Sequence, residues 1–177
     1  MQEIFTSSKR PFYQSTQLLN ITSIDFEKYA HFAETHFAQN GVTLPGDIFA
    51  TIYDKYAGHT WYIQNILNRL YSYQRNVDNE LVTYATSQIL EESGPVYVDI
   101  MKAYKGGPMK LLRAIAREGC VKEVLSGAFI SKYELKAASS VSSSLKKLIE
   151  NELVYPDAEG YIVYDRFMAE WLRSQIF

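Results

Sequence analysis

The element closest to a phosphate-binding loop is Gly106-Gly107-Pro108-Met109-Lys110. Such a loop needs glycines for close backbone approach, a lysine for the phosphates and a Ser or Thr for magnesium. Here a proline stands where a donating amide is needed, and the sequence contains no Gly-Lys-Ser or Gly-Lys-Thr. We therefore interpret the segment as a turn between two domains, and we expect this chain alone not to hydrolyse ATP.

Other residues suited to catalysis or metal binding are present but poorly spaced. His31 and His36 lie about 140° apart around a helix, so they cannot bind one metal through the same face. The single cysteine, Cys120, lacks a neighbouring histidine and is expected to be a small buried apolar residue. Ser126-Gly127 lacks the first glycine of a nucleophile elbow. The sequence thus predicts no catalytic residue, no metal site and no cofactor in this chain.

A candidate nucleic-acid surface lies on a predicted helix that starts at Ser139. Val141, Leu145, Leu148 and Ile149 share one apolar stripe, and the opposite face presents Ser139, Ser143, Lys146 and Lys147. Ser and Lys suit phosphate contacts, whereas reading base edges favours Arg, Asn and Gln, which this face lacks. The sequence therefore leaves open whether this face contacts DNA or protein, and a protein contact is the favoured interpretation.

The residues before the Gly-Gly-Pro turn predict an extended segment followed by a helical bundle. Pro11 and the mixed composition of 12–21 favour extended backbone. Spacings of three and four then predict helices from Ser23, as the cap, to Gly41, from Pro45 to Gly58, from Thr60, from 79 to 92, and from 96 to 105. At these spacings the bundle aromatics (Tyr53, Tyr56, Trp61, Tyr62, Tyr71 and Tyr73) favour packing roles over base stacking.

The residues after the turn predict a winged helix-turn-helix. Three helices, at Met109 to Glu118, at Ser126 to Tyr133 and from Ser139, precede two β-rich runs separated by 156–160, and a last helix covers 165–176. The predicted fold is mainly α, with a helical bundle followed by a winged helix-turn-helix that carries a small β-hairpin wing. The predicted domains are 1–105 for the extended segment plus bundle, and 106–177 for the winged helix.

Composition limits the function classes further. The 177 residues are 47% apolar and carry a formal charge of −2, so the chain can fold without disulfides but lacks the overall charge of a dedicated nucleic-acid binder. The N-terminus lacks a signal-peptide apolar run, and no stretch is long and apolar enough for a membrane helix. We therefore expect a cytoplasmic protein with no membrane partner.

Two stretches of the chain resemble parts of one known family. The first consists of Ser8-Lys9-Arg10-Pro11-Phe12-Tyr13-Gln14 and Tyr56-Ala57-Gly58-His59-Thr60-Trp61-Tyr62-Ile63-Gln64. It resembles the region that follows the core strands of archaeal-type P-loop ATPases of the STAND and AAA+ kind. Residues 110–116, 138–148 and 160–172 resemble the winged helix that follows their lid. The resemblance implies that this chain is the lid and winged-helix portion of such an ATPase, with the nucleotide-binding core preceding Met1.

The resemblance also implies roles for particular residues. The turn Gly58-His59-Thr60 would lie close to the nucleotide, with Thr60 where the family more often has proline. Arg10 would place a charge near the phosphates. ATP and magnesium would bind the full-length protein, whose winged helix would couple nucleotide state to a DNA or protein partner. The alternative from another class is a free-standing winged-helix DNA-binding regulator with a helical dimerisation domain.

Overall fold

The structure, a computed structural model, describes residues 22–175. In this range the chain forms eight helices and one two-stranded antiparallel sheet, which confirms the predicted fold class. The bundle helices are α1 (Phe26–Ala38), α2 (Gly46–Lys55), α3 (Thr60–Ser72) and α4 (Asn79–Lys102). The later elements are α5 (Gly107–Glu118), α6 (Gly127–Lys132), α7 (Ala138–Glu150), β1 (Val154–Asp157), β2 (Gly160–Val163) and α8 (Arg166–Ser174). Arg10 and the predicted extended segment 12–21 lie outside the described residues.

The helices of the bundle form where the apolar spacing predicts them. In α1 the buried residues are Tyr29, Ala30, Ala33 and Phe37, which recur at the three- and four-residue spacing of one helical face. The cap differs from the prediction, since Asp25 rather than Ser23 accepts a hydrogen bond from the Lys28 amide, at 3.2 Å. The start is therefore set by a carboxylate nearer to the first turn.

Helix α4 corrects the prediction of two helices separated at Ser93-Gly94-Pro95. It runs without interruption from Asn79 to Lys102, although Pro95 cannot donate a helical hydrogen bond. Tertiary contacts compensate, because a Cβ added at the buried Gly94 would lie only 3.3 Å from Trp171 Nε1 of α8. One turn further on, the buried Tyr97 donates to Asp165 Oδ2 at 3.1 Å. Packing against α8 thus overrides the local breakers.

The C-terminal part has the element order of a winged helix. The buried face of α5, which includes Leu111, Leu112 and Ile115, packs against α7 and α8. The two strands pair in the register Val154↔Val163 to Asp157↔Gly160. Val121 forms a further antiparallel bridge with Tyr161, with N···O distances of 2.9 and 3.0 Å.

Two local predictions in this region are wrong. Pro156 and Asp157 belong to β1, so the hairpin turn is shorter than the five-residue turn predicted, because a proline is tolerated where a strand edge needs no donor. Ser139 is not the cap of α7 but lies inside it, since Ala137 takes extended φ/ψ and its carbonyl accepts from the Val141 amide at 3.1 Å.

An aromatic cluster joins the bundle to the winged helix. Phe167 of α8 is 1% exposed and lies 5.0 Å from Tyr62, 5.5 Å from Tyr56 and 5.7 Å from Trp61, measured between ring centroids. Tyr56 also donates to Glu170 Oε1 at 2.7 Å, and burial together with that carboxylate raises the pKa of the Tyr56 hydroxyl far above its usual value. The bundle and the winged helix are therefore packed through a shared core.

Candidate functional site

A cleft between the first turn of α3 and the wing contains an exposed aromatic cluster. It encloses about 380 Å³ and combines residues from both halves of the chain. The lining residues are His59, Trp61, Tyr62, Tyr155, Asp157, Ile162, Tyr164 and Arg166. A preformed concave surface of this composition, with aromatic side chains and a few polar groups, is the arrangement expected of a binding site.

The wing side of the cleft is aromatic where a solvent-facing strand surface is ordinarily polar. Tyr155 and Ile162 are register partners, and Tyr164 follows Ile162 by two residues, so the three share one face of the hairpin. Val154 and Val163, on the other face, are buried. Tyr155 is 52% exposed and Tyr164 is 61% exposed, so this face carries large apolar surface that the described residues leave open to solvent.

The bundle side of the cleft includes His59, from the turn that the family resemblance implies to be nucleotide-proximal. Gly58 has φ +69° and is buried, and a Cβ added there would lie 2.8 Å from the Tyr53 hydroxyl, so the turn requires glycine. His59 is the N-cap of α3, and its side chain makes no capping hydrogen bond. The first amides of α3 therefore lack a side-chain acceptor at this cap.

Hydrogen bonds through Tyr62 fix the two sides of the cleft to each other. The Tyr62 hydroxyl accepts from the Arg166 amide at 3.2 Å and donates to the Tyr164 carbonyl at 3.5 Å. Burial is the main reason why the pKa of Tyr62 is raised, so the hydroxyl keeps its proton at neutral pH. The cleft is therefore a fixed feature of the folded chain.

The charges at the cleft are balanced. Asp157 and Arg166 both line it, and neither forms an ion pair with any of residues 22–175. At the turn of the wing, Glu159 Oε2 is 2.6 Å from Lys122 Nζ. The turn of the wing therefore carries a paired acidic and basic side chain rather than a basic surface.

The predicted nucleic-acid residues lie elsewhere, on α7. Ser139, Ser143, Lys146 and Lys147 are all exposed, and none of them lines the aromatic cleft. Lys146 Nζ is 3.8 Å from Glu150 Oε1, and Lys147 Nζ lies 5.5 Å from the ring centroid of Tyr104. Both lysines thus already have intramolecular partners, and their role in nucleic-acid binding stays a prediction.

Sequence reasoning missed the wing half of the cleft and misjudged one cysteine. Tyr155, Tyr164 and Arg166 were not candidates, although the aromatic residues at alternate wing positions are a signal that could have found them. The packing role predicted for the bundle aromatics is confirmed for Tyr56 and Tyr62, whereas Trp61 is 55% exposed. Cys120 is exposed, not buried as predicted, because it follows the positive-φ Gly119 at the end of α5 and lies outside the helix.

Comparison with known proteins supports the C-terminal architecture. Residues 95–174 match the model of a family described as a probable winged helix domain. The match begins inside α4 and includes α5 to α8 and the hairpin, so this part of the chain is a winged helix domain. No curated protein and no solved structure matches the chain significantly.

The described part of the chain contains neither a metal-binding cluster nor a membrane-spanning helix. Among residues 22–175, no three His, Cys, Asp or Glu side chains come together in a group that could hold a metal ion. In the same range, no helix has the length and apolar character needed to cross a membrane.

Proposed function

We propose that this chain is the C-terminal lid and winged-helix portion of an AAA+ or STAND-type ATPase, and that it couples nucleotide state to engagement of a partner. The bundle α1–α4 corresponds to the lid, and the winged helix domain follows it directly. ATP and magnesium would bind mainly to a nucleotide-binding core encoded before Met1. The chain alone would then be a coupling module rather than an enzyme.

The observation that carries the proposal is the shared cleft. The turn Gly58-His59-Thr60 resembles the nucleotide-proximal turn of those ATPases, and its His59 lines the same cleft as the outer face of the wing. The N-terminus of a helix favours negative charge, and α3 has no acidic residue in its first turn. A phosphate near this turn and a partner on the wing would therefore act on adjacent surfaces.

The charge distribution favours a protein partner over DNA. A winged helix that binds DNA places its wing and recognition helix against phosphates, which requires positive charge. Here the wing carries Asp157, and Glu159 at its turn is paired with Lys122. Lys146 and Lys147 of α7 also have intramolecular partners, so neither element presents a surplus of positive charge. The face of α7 that bears Ser139 and Ser143 would then contact protein or add only weak, non-specific phosphate contacts.

The test begins with the coding sequence upstream of Met1. We expect an in-frame Gly-x-x-x-x-Gly-Lys-Ser/Thr motif, and ATP turnover by the complete product but not by the present 177 residues. In the complete protein, Arg10→Ala should lower turnover at least about tenfold, because a guanidinium suits phosphate and transition-state charge. Lys9→Ala is the matched control, since it removes the neighbouring charge.

The role of the turn is tested in the same protein. His59→Ala should weaken the coupling of ATP turnover to nucleotide-dependent partner binding, while His31→Ala, on the exposed face of α1, should not. A genuine start codon with no phosphate-loop motif in frame upstream of residue 1 would overturn the ATPase proposal. It would favour the free-standing winged-helix DNA-binding regulator instead.

A further inference from the structure

The side chains that line the aromatic cleft indicate the chemical class of ligand that it can bind. We propose that the cleft binds an extended, proline-containing segment of a partner protein that carries both a basic and an acidic side chain. Such binding does not require an upstream ATPase core, so it can be true or false independently of the function proposed above.

The first support is a set of hydrogen-bond donors in the cleft that have no acceptor among residues 22–175. Trp61 Nε1 and the hydroxyls of Tyr155 and Tyr164 donate no hydrogen bond to any of residues 22–175. All three side chains are more than half exposed. A polyproline II segment has no internal hydrogen bonds, so its carbonyls are free to accept from donors of this kind.

The second support is the shape of the aromatic surface. The centroids of the Tyr155 and Tyr164 rings are 6.4 Å apart and the rings are inclined at 61°, and Trp61 of α3 lines the same cleft. Aromatic-lined grooves of this kind recognise proline-rich segments, because the preformed segment loses little entropy when it binds. Trp and Tyr are also the side chains that most often dominate binding energy at protein interfaces.

The third support is charge. Asp157 and Arg166 give the cleft one charge of each sign, neither of them in an ion pair with residues 22–175, and a segment with one basic and one acidic residue would pair both. Aromatic platforms also stack nucleic-acid bases, but single-stranded nucleic acid requires a positive groove along its backbone. In the cleft Asp157 balances Arg166, and on the adjacent turn Glu159 is paired with Lys122, so the cleft lacks the positive groove that a polyanion needs and the charges favour a polypeptide.

The experiment uses the two tryptophans of the chain as reporters. In ¹H–¹⁵N spectra, the indole N–H of Trp61 reports on the cleft, and that of Trp171, partly buried against Tyr97, is the internal control. The probes are a short proline-rich peptide containing one lysine and one glutamate, a single-stranded oligodeoxynucleotide, and ATP. We expect the peptide to shift the Trp61 signal in a saturable manner and to leave the Trp171 signal in place.

Variants then separate binding from folding. Tyr155→Ala should weaken peptide binding by about tenfold or more, as removal of an interface anchor does. Tyr84→Ala, which removes an equally exposed tyrosine from α4, should leave affinity unchanged. Asp157→Asn should weaken binding of the lysine peptide but not of the same peptide with glutamine in place of lysine. Failure of the peptide to shift Trp61, or a stronger response to the oligonucleotide or ATP, would overturn the proposal.

Discussion

Phe167 is the side chain whose removal tests the shared core most directly. Its ring is 1% exposed and is surrounded by the rings of Tyr56, Trp61 and Tyr62 at 5.0 to 5.7 Å. Replacing a buried phenylalanine by alanine lowers the free energy of unfolding by about 3–5 kcal/mol, because the surrounding structure fills the resulting cavity only in part. Three rigid aromatic neighbours collapse poorly, so we expect Phe167→Ala to lower the free energy of unfolding by about 4 kcal/mol.

The assay is urea unfolding followed in parallel by circular dichroism and by tryptophan fluorescence. At about 2–4 °C per kcal/mol for a chain of this length, the same loss should lower the Tm by about 8–16 °C. Phe167→Leu keeps most of the volume and should cost less than about 1.5 kcal/mol. Phe32→Ala removes a ring that is 62% exposed, and it should change the stability by no more than about 0.5 kcal/mol.

The number of unfolding transitions tests whether the two halves of the chain are coupled through this core. Because Phe167 belongs to α8 and its neighbours belong to the bundle, the two halves should unfold in one transition by both signals. Two separate transitions in the wild-type chain would show that the halves are not coupled through this core. A loss below about 1 kcal/mol for Phe167→Ala would show that the ring is not packed as described.

Three further predictions concern the winged helix domain. Gly160→Ala should destabilise the chain by about 1–3 kcal/mol in urea unfolding, because the added Cβ would lie 2.5 Å from the Val121 carbonyl oxygen. Gly119 also has positive φ, but a Cβ added there meets no atom within 4 Å, so Gly119→Ala should lower the free energy of unfolding by less. The hydrogen bond from Lys132 holds the pKa of Glu118 below its usual range. The ionised Glu118 therefore stabilises the fold above the ordinary carboxyl pKa, and this stabilisation is lost as the pH falls through the lowered pKa. Glu118→Gln should make the Tm depend less steeply on pH on the acid side. Replacing both lysines of α7 by alanine should reduce the magnitude of the slope of log K against log salt for duplex-DNA binding by about 2, if both lysines contact phosphates. Tight binding to one DNA sequence that persists in this variant would contradict the assignment of that face.

Local patterns were sufficient for the hairpin and for every helix except α4, which they divided into two. The periodic apolar residues of α1, α5 and α7 identify the faces that are buried, since a helix in water must bury its apolar stripe. The Gly-Gly-Pro sequence at the start of α5 and the turn between the β-rich runs are equally local signals. The same information predicted a winged helix, which the family match at residues 95–174 supports.

Tertiary structure decided the features that depend on neighbours distant in sequence. Helix α4 continues through Gly94 and Pro95 because Trp171 and Asp165 pack against it from α8, and no local propensity contains that information. The cleft likewise depends on contacts between α3 and residues about a hundred positions later, among them the hydrogen bond from the Arg166 amide to the Tyr62 hydroxyl and the packing of Tyr62 on Phe167. Trp61 and Tyr155 have ordinary sequence contexts, and their exposure on facing sides of one cleft follows from how the two halves dock.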